Sequence, residues 1–314
     1  MKQIIPFLVL IFIGTVFGCK PNQTDPELRI ADSLREDSVT LKIGYLPTLE
    51  SLPLLVSEQL GYFKDSKIKL LQFDAGMDLD TAILNNRVQC STSDLCRAIL
   101  LNKTNPDIKI ISKTQGTYKL ITAKNQRIRK VKDLKERLIA IARNEISDCL
   151  LDNILEHEQV GTDIVNRPQI NSLPLRRKMI FFEELDAAML PEPFASECLL
   201  NGDHSIASNK NIDTELGCLL VNKQASSEFL DQMNVVAHAY NEAVKHLQKS
   251  KVDLTVYYDI KPEVADTLDF PEYEPLTLPR EKDIATAIEW LKERNLIPRQ
   301  FKADHFLEER YLNK

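Results

Sequence analysis

The sequence predicts an α/β fold built from mostly parallel sheets with helices on their faces. Three observations carry this. From residue 41 onward, short apolar runs alternate with stretches of helical period in the order β-α-β-α-β-α-β-β. A basic, non-periodic run at 124–135 interrupts the alternation, and a second α/β series follows it. The chain has 314 residues, enough for two units with cores of their own.

Taken in order, the first unit is the stretch 41–63. Leu41, Ile43 and Tyr45 alternate with Lys42 and Gly44, which suits a short strand closed by Pro47. Thr48, Glu50 and Ser51 make a polar turn, with Ser51 an N-cap candidate and Pro53 in the first helical turn. Leu52, Leu55, Val56, Leu60 and Phe63 recur at helical spacing, and Gly61 suits the C-terminal cap. A strand that feeds a helix through a polar loop leaves backbone N–H groups unpaired, and small ligands settle at such loops in open α/β sheets.

A strand at 68–73 then leads through the turn Asp74-Ala75-Gly76 into a helix at 77–86. A third strand at 88–92 precedes Ser93, read as the cap of a helix at 94–101. Strands at 107–114 and 118–123 close the first series. In the second, 138–142 is a strand, and Ser147 caps a helix with Leu150, Leu151, Ile154 and Leu155 on one face. A strand at 164–170 and a helix at 173–184 follow. Residues 186–190 form a buried strand that enters Pro191-Glu192-Pro193-Phe194, and further strands are expected at 205–208 and 216–221. The remainder reads as helical, with one long helix at 229–247 and shorter ones separated by prolines.

Ahead of this lies a targeting segment. Residues 1–18 combine Lys2 with an apolar run from Ile4 to Ile13, too short to span a membrane comfortably and suited to a signal-peptide core. Val16-Phe17-Gly18-Cys19 resembles the bacterial lipobox, which implies lipid on Cys19 and an extracytoplasmic place in the cell envelope. Residues 19–40 are polar and read as a flexible tether. The net charge of −6 argues against nucleic acid as the main partner. Five cysteines remain after Cys19, an odd number that leaves at least one thiol free. Cys198 and Cys218 flank a loop and are the one candidate pair; buried free thiols are the plainer reading.

With these elements in place, the chain resembles the type II solute-binding proteins of ABC importers. The similar branch serves nitrate, alkanesulfonates, taurine and thiamine precursors. The resemblance rests on the G-Y-x-P…L-G-Y-F unit at 44–63, the turn Phe73-Asp74-Ala75-Gly76, the pair Ser93-Asp94, and the strand 186–190 running into Pro191-Glu192-Pro193-Phe194. Two departures bear on the ligand: Asn85-Asn86-Arg87 and the run 176–182 lack glycines usual in the family.

The resemblance implies a two-lobed, periplasmic-binding-protein-like type II fold with a ligand cleft between the lobes. Lobe 1 would be 41–123 plus 222–314, and lobe 2 would be 124–221. It also implies a small-molecule ligand handed to an ABC permease, no cofactor, no metal, and a monomer held at the membrane through Cys19. Closing of the lobes about a hinge is the expected motion. Cleft residues nominated on this basis are Tyr45, Thr48, Glu50, Ser51, Gly76, Met77, Ser93 and Asp94 from lobe 1. Lobe 2 would add Asn144, Glu145, Ser147 and Glu192.

Each nomination has a structural alternative. Ser51, Ser93 and Ser147 read first as helix caps, although a cap lies beside free N–H groups and is compatible with ligand contact. Tyr45 is equally a core residue, and Glu192 equally an N-cap. The cleft loops carry Glu50, Asp74, Asp78, Asp94, Glu145 and Glu192, with Arg143 the main cation nearby. That balance favours a neutral or cationic hydrogen-bonding ligand over a small oxyanion. An enzyme on the same fold and a sensing or interaction lipoprotein without a permease are the competing functions. The histidines show no partnering acid or cysteine motif, and no nucleophile-elbow, zinc-protease or phosphate-loop signature is present.

Overall fold

Among the described residues, nine strands form two sheets, each covered by helices. The structure is a computed structural model, and it describes residues 38–301 and 305–312. The signal segment, Cys19 and the tether up to residue 37 lie outside the described residues. From Thr40 onward the chain folds as one compact unit.

The first sheet takes β1 (Leu41–Tyr45), β2 (Ile68–Gln72), β3 (Cys90–Asp94), β4 (Ile108–Lys113) and β9 (Gly217–Asn222), in the order β2-β1-β3-β9-β4. The second takes β5 (Tyr118–Thr122), β6 (Ile139–Ala140), β7 (Ala187–Pro191) and β8 (His204–Ser208), in the order β6-β7-β5-β8. An α/β fold with two sheets is what the alternation predicts. The sheets are mixed, however, rather than mostly parallel. β1 pairs parallel with β2 and β3, and β6 parallel with β7, while every pairing of β5 and β9 is antiparallel. The cause is topological. β5 and β9 are the strands that follow the two crossings between sheets, so each enters its sheet from the end its neighbours leave.

The crossings also differ in place from those expected. β5 was expected with the first sheet and pairs in the second, and β9 was expected with the second and pairs in the first. The chain therefore changes sheets at 114–117 and at 209–216. Thr114 N–H donates to Gly217 O at 2.9 Å, and Asn209 joins both segments, accepting from Tyr118 N–H and donating to Gly116 O and Thr214 O.

The helices that follow strands are α1 (Leu52–Gln59), α2 (Gly76–Leu84), α3 (Leu95–Thr104), α4 (Ile146–His157), α5 (Leu173–Phe181) and α6 (Phe194–Leu200). The C-terminal part adds α7 (Leu230–Lys249), packed on α1, and α8 (Glu281–Glu293), packed on α3. Residues 164–170 give only isolated bridges at Asn166 and Gln169 instead of a strand. Pro168 has no N–H to offer a ladder, and Arg167 is drawn onto Asp148.

One apolar core runs continuously across both sheets. Ile99 of α3, Leu150 and Ile154 of α4, Tyr118 and Leu120 of β5, and Ile288 of α8 all belong to it. Truncating such a side chain costs roughly 2–5 kcal/mol. The five described cysteines are buried and free, which leaves Cys198 and Cys218 unbridged.

Candidate functional site

β1, β3 and β4 end facing the ends of β6, β7 and β8, and the loops leaving these ends meet between the sheets. Ligand crevices of open α/β sheets form at such carboxyl ends. Each functional side chain is placed by a turn or helix start on one of these loops.

Glu50 sits in the tight turn Leu49–Ser51 between β1 and α1 and is buried. Its carboxylate accepts from Tyr118 Oη at 2.9 Å, Thr114 Oγ1 at 3.4 Å and Thr48 Oγ1 at 3.5 Å. Glycines make the room: a Cβ at Gly116 would lie 2.4 Å from Glu50 Cγ, and one at Gly217 would lie 2.0 Å from Glu50 Oε1. Burial, opposed by these hydrogen bonds and reinforced by the charge of Glu145, pushes the Glu50 carboxyl up to about 7. The same hydrogen-bonded carboxylate thus touches the first crossing segment and the start of β9, where the second one ends.

Asp94 caps α3 by accepting from Arg97 N–H at 3.0 Å. Burial first, and Glu145 next, raise its carboxyl to about 8. Arg97 runs from α3 back over Gly76, where its Nε lies 3.1 Å from Asp80 Oδ2. Glu145 precedes α4 and reaches the same point from the second sheet, its Oε2 lying 3.4 Å from where a Gly76 Cβ would be. Its other oxygen accepts from Ser147 Oγ at 2.6 Å and Arg176 Nη2 at 3.4 Å. Arg176 of α5 is fully buried and also donates to Ile170 O and Met189 O.

Four carboxylates (Glu50, Asp80, Asp94 and Glu145) therefore share this region with two guanidinium groups. The space that Glu50, Asp94, Arg97 and Glu145 enclose with Ser93, Tyr118 and Asn171 has a volume of about 20 Å³, room for a single water. Ser93 Oγ is buried there without a hydrogen-bond partner. The walls touch in this conformation: Leu49 N–H donates to Glu192 O at 3.0 Å, Leu173 N–H to Asp74 O at 2.9 Å, and Asn171 Nδ2 to Met77 Sδ at 3.1 Å.

Of the nominated residues, Glu50, Gly76, Ser93, Asp94 and Glu145 line this space. Met77 is half exposed at its rim. Thr48 and Ser147 stand one step behind, each holding a lining glutamate. Ser51 donates to Leu46 O and ties the turn. Tyr45 lies apart, its hydroxyl 3.3 Å from Gln72 Oε1. Glu192 is taken up by Lys119 at 2.6 Å and by Ser196 of α6. Asn144 lies with Arg143 in a separate hollow beside Asp148, Arg167 and Arg294. Arg143 is exposed and is not the cation of the cleft; Arg97 lines it, and Arg176 stands behind Glu145. The caps differ too. Asp94, not Ser93, caps α3, and Ser147 lies inside α4, whose cap position is Glu145.

Arg97, Arg176, Tyr118, Asp80 and Asn171 were not nominated. Asp94-x-x-Arg97 is a local signal that finds Arg97. Arg176 stands in the run Arg176-Arg177-Lys178, which reads as a solvated helix face. Its burial follows from packing across to β7, which no local pattern records.

The NMT1/THI5-like family model matches residues 48–189. Among curated proteins, none matches the sequence. Solved structures similar to this fold include the ligand-binding component of an ABC-type import system from Staphylococcus aureus, solved with zinc bound. That protein is 15% identical, with 86% of this chain and 96% of that chain covered and a TM-score of 0.69. The periplasmic aliphatic sulphonate-binding protein SsuA from Escherichia coli is 18% identical, with coverage of 86% and 92% and a TM-score of 0.66. The desulfurization enzyme DszB is 13% identical, with coverage of 87% and 98% and a TM-score of 0.62. At these identities the likeness establishes the fold. Residues 48–189 are thus similar to the NMT1/THI5-like family, and the chain has the periplasmic-binding-protein fold.

Proposed function

We propose that this protein captures a small polar molecule between its two sheets and delivers it to an ABC permease. The observation that supports this most is the ionisable, buried set Glu50, Asp94, Arg97 and Glu145, brought together from both sheets at the carboxyl ends of their strands. The space beside them is too small for a molecule of several heavy atoms, so the ligand enters when the sheets part about 114–117 and 209–216. The described conformation is then the closed one.

The ligand is a neutral or cationic hydrogen-bonding compound. Three lining carboxyl groups stand against one lining guanidinium, and Glu50 and Asp94, raised by burial to about 7 and about 8, offer hydrogen bonds more than charge, which suits a neutral or amine-bearing compound over a sulfonate or nitrate. A lipid on Cys19 and a monomeric protein at the extracytoplasmic side of the envelope fit this role. Among the described residues, no helix is long and apolar enough to cross a membrane.

The fold also carries the enzyme DszB, yet binding is the better reading here. No cysteine or histidine lines the cleft, and burial pushes the Cys90 thiol up to about 12 and those of Cys96 and Cys218 well above the usual range. A sensing lipoprotein without a permease shares the same binding step. Deleting the protein separates the two, because loss of ligand uptake belongs to transport alone.

A thermal-shift panel of amines, thiamine precursors, taurine, other sulfonates and nitrate tests the binding step. A ligand at a hundred times its Kd stabilises the fold by about 2.7 kcal/mol. An amine-bearing or neutral compound is expected to respond. A response confined to sulfonates or nitrate overturns the charge assignment.

A further inference from the structure

The basic run at 124–135 plays no part in the cleft, and the topology places it at the opposite end of the second sheet. β5 ends at Thr122, β6 begins at Ile139, β7 begins at Ala187 and β8 begins at His204. The pairings put all four at one edge, away from the cleft. The loops 123–138, 182–186 and 201–203 therefore share this distal pole. Ala123 N–H donates to Asp186 O, Asp186 N–H to Leu138 O, and Asn125 Nδ2 to Glu183 Oε1 at 2.7 Å.

Two kinds of side chain stand out at this pole. Arg127, Arg129, Lys130, Lys132 and Lys135 are exposed on the first loop. Beside them are apolar groups facing water: Phe182 is 60% exposed, Leu138 44% and Phe181 37%. The two phenyl rings stand edge to face at 5.8 Å, with Lys178 Nζ 6.0 Å from the Phe182 ring.

The acids here are largely engaged. Asp133 accepts from Arg129 and Lys130 N–H, Asp186 binds Arg137 and Leu138 N–H, and Asp203 accepts from Lys124 N–H. Glu183 pairs with Asn125, while Glu136 and Glu184 are exposed. Within 124–137, seven Lys and Arg stand against two acids, while the loops 182–186 and 201–203 add four acids, so the positive face of this pole is the first loop itself, on a chain whose net charge is −6.

We propose that this pole docks on an anionic lipid surface, the cations meeting headgroups and Phe181 and Phe182 entering the interface. Clustered Lys and Arg beside exposed aromatics suit such a surface, where an aromatic ring is anchored between water and acyl chain. An acidic protein face would meet the charge but gives no reason for two adjacent protruding phenyl rings.

The test uses the full chain carrying Phe182→Trp. The native Trp290 is 5% exposed, so its indole is a poor reporter of surface events and leaves the new one readable by difference. Vesicles of phosphatidylglycerol with brominated phosphatidylcholine are expected to blue-shift and quench the introduced indole. Vesicles of the brominated phosphatidylcholine alone are expected not to. Adding Arg129→Gln, Lys130→Gln and Lys132→Gln should raise the lipid concentration for half-maximal quenching about a hundredfold. Circular dichroism confirms that the variants fold. Emission that stays solvent-like on the anionic vesicles, or quenching equal on both kinds, overturns the proposal. So does an emission shift given by an acidic polypeptide such as polyglutamate and not by anionic vesicles.

Discussion

The Glu50 carboxylate accepts a 2.9 Å hydrogen bond from the Tyr118 hydroxyl, joining the turn after β1 of the first sheet to β5 of the second. Tyr118 opens the strand that follows the first crossing, and Glu50 fills the space beside both crossings. A single buried acid therefore reports on whether the sheets are together.

That acid makes stability depend on pH. Burial raises Glu50 from 4.5 to about 7, Asp80 to about 6 and Asp94 to about 8. The folded chain therefore keeps protons that the unfolded chain releases near pH 4, and this contribution is present in full below that pH. It is lost as pH rises to about 8. The melting temperature is expected to fall between pH 5 and pH 8, and Glu50→Gln to flatten the fall by roughly 3 kcal/mol. A wild-type melting temperature that rises across that window contradicts the assignment.

Gly116 is glycine because of Glu50. All three nearest atoms to a Cβ at Gly116 are Glu50 side-chain atoms. Gly116→Ala is expected to cost about 1–3 kcal/mol in urea unfolding. In the Glu50→Ala background most of that cost should vanish, and a double-mutant cycle reads the coupling.

Arg176 holds the second wall. Its guanidinium donates to Ile170 O, Met189 O and Glu145 with no exposure to solvent. Arg176→Met keeps much of the volume but strands two carbonyls and a carboxylate. A loss of roughly 3–5 kcal/mol is expected in denaturant titrations.

Across the back of the molecule, Trp290 of α8 donates to Asp152 of α4 at 2.7 Å. Trp290→Phe retains the ring and removes the donor. Asp152 keeps Arg167 and Arg294, so the loss should be modest, about 1 kcal/mol by calorimetry.

Much of this arrangement was legible in the sequence where local chemistry decided it. The turn at Thr48–Ser51 and the helix starts near Gly76 and Asp94 follow from strand endings and polar loops, although the sequence puts the cap of α3 one residue early, at Ser93. What stayed hidden was long-range. Nothing local shows that β5 leaves the sheet of its predecessor, because a strand reads the same in either sheet. Glu192 reads in sequence equally as an N-cap or a cleft acceptor; it accepts from Ser196 N–H and is paired with Lys119, 73 residues away, which no local pattern records. The burial of Arg176 likewise exists only after α5 packs on β7.

The central claim is that the cleft holds a small molecule, and native mass spectrometry of the full chain isolated from its own membranes tests it most directly. The account predicts a low-mass, non-covalent adduct that is lost on denaturation and diminished in Glu145→Gln. A protein that carries no such adduct as isolated, and takes up none from the panel of amines and neutral compounds, would contradict it.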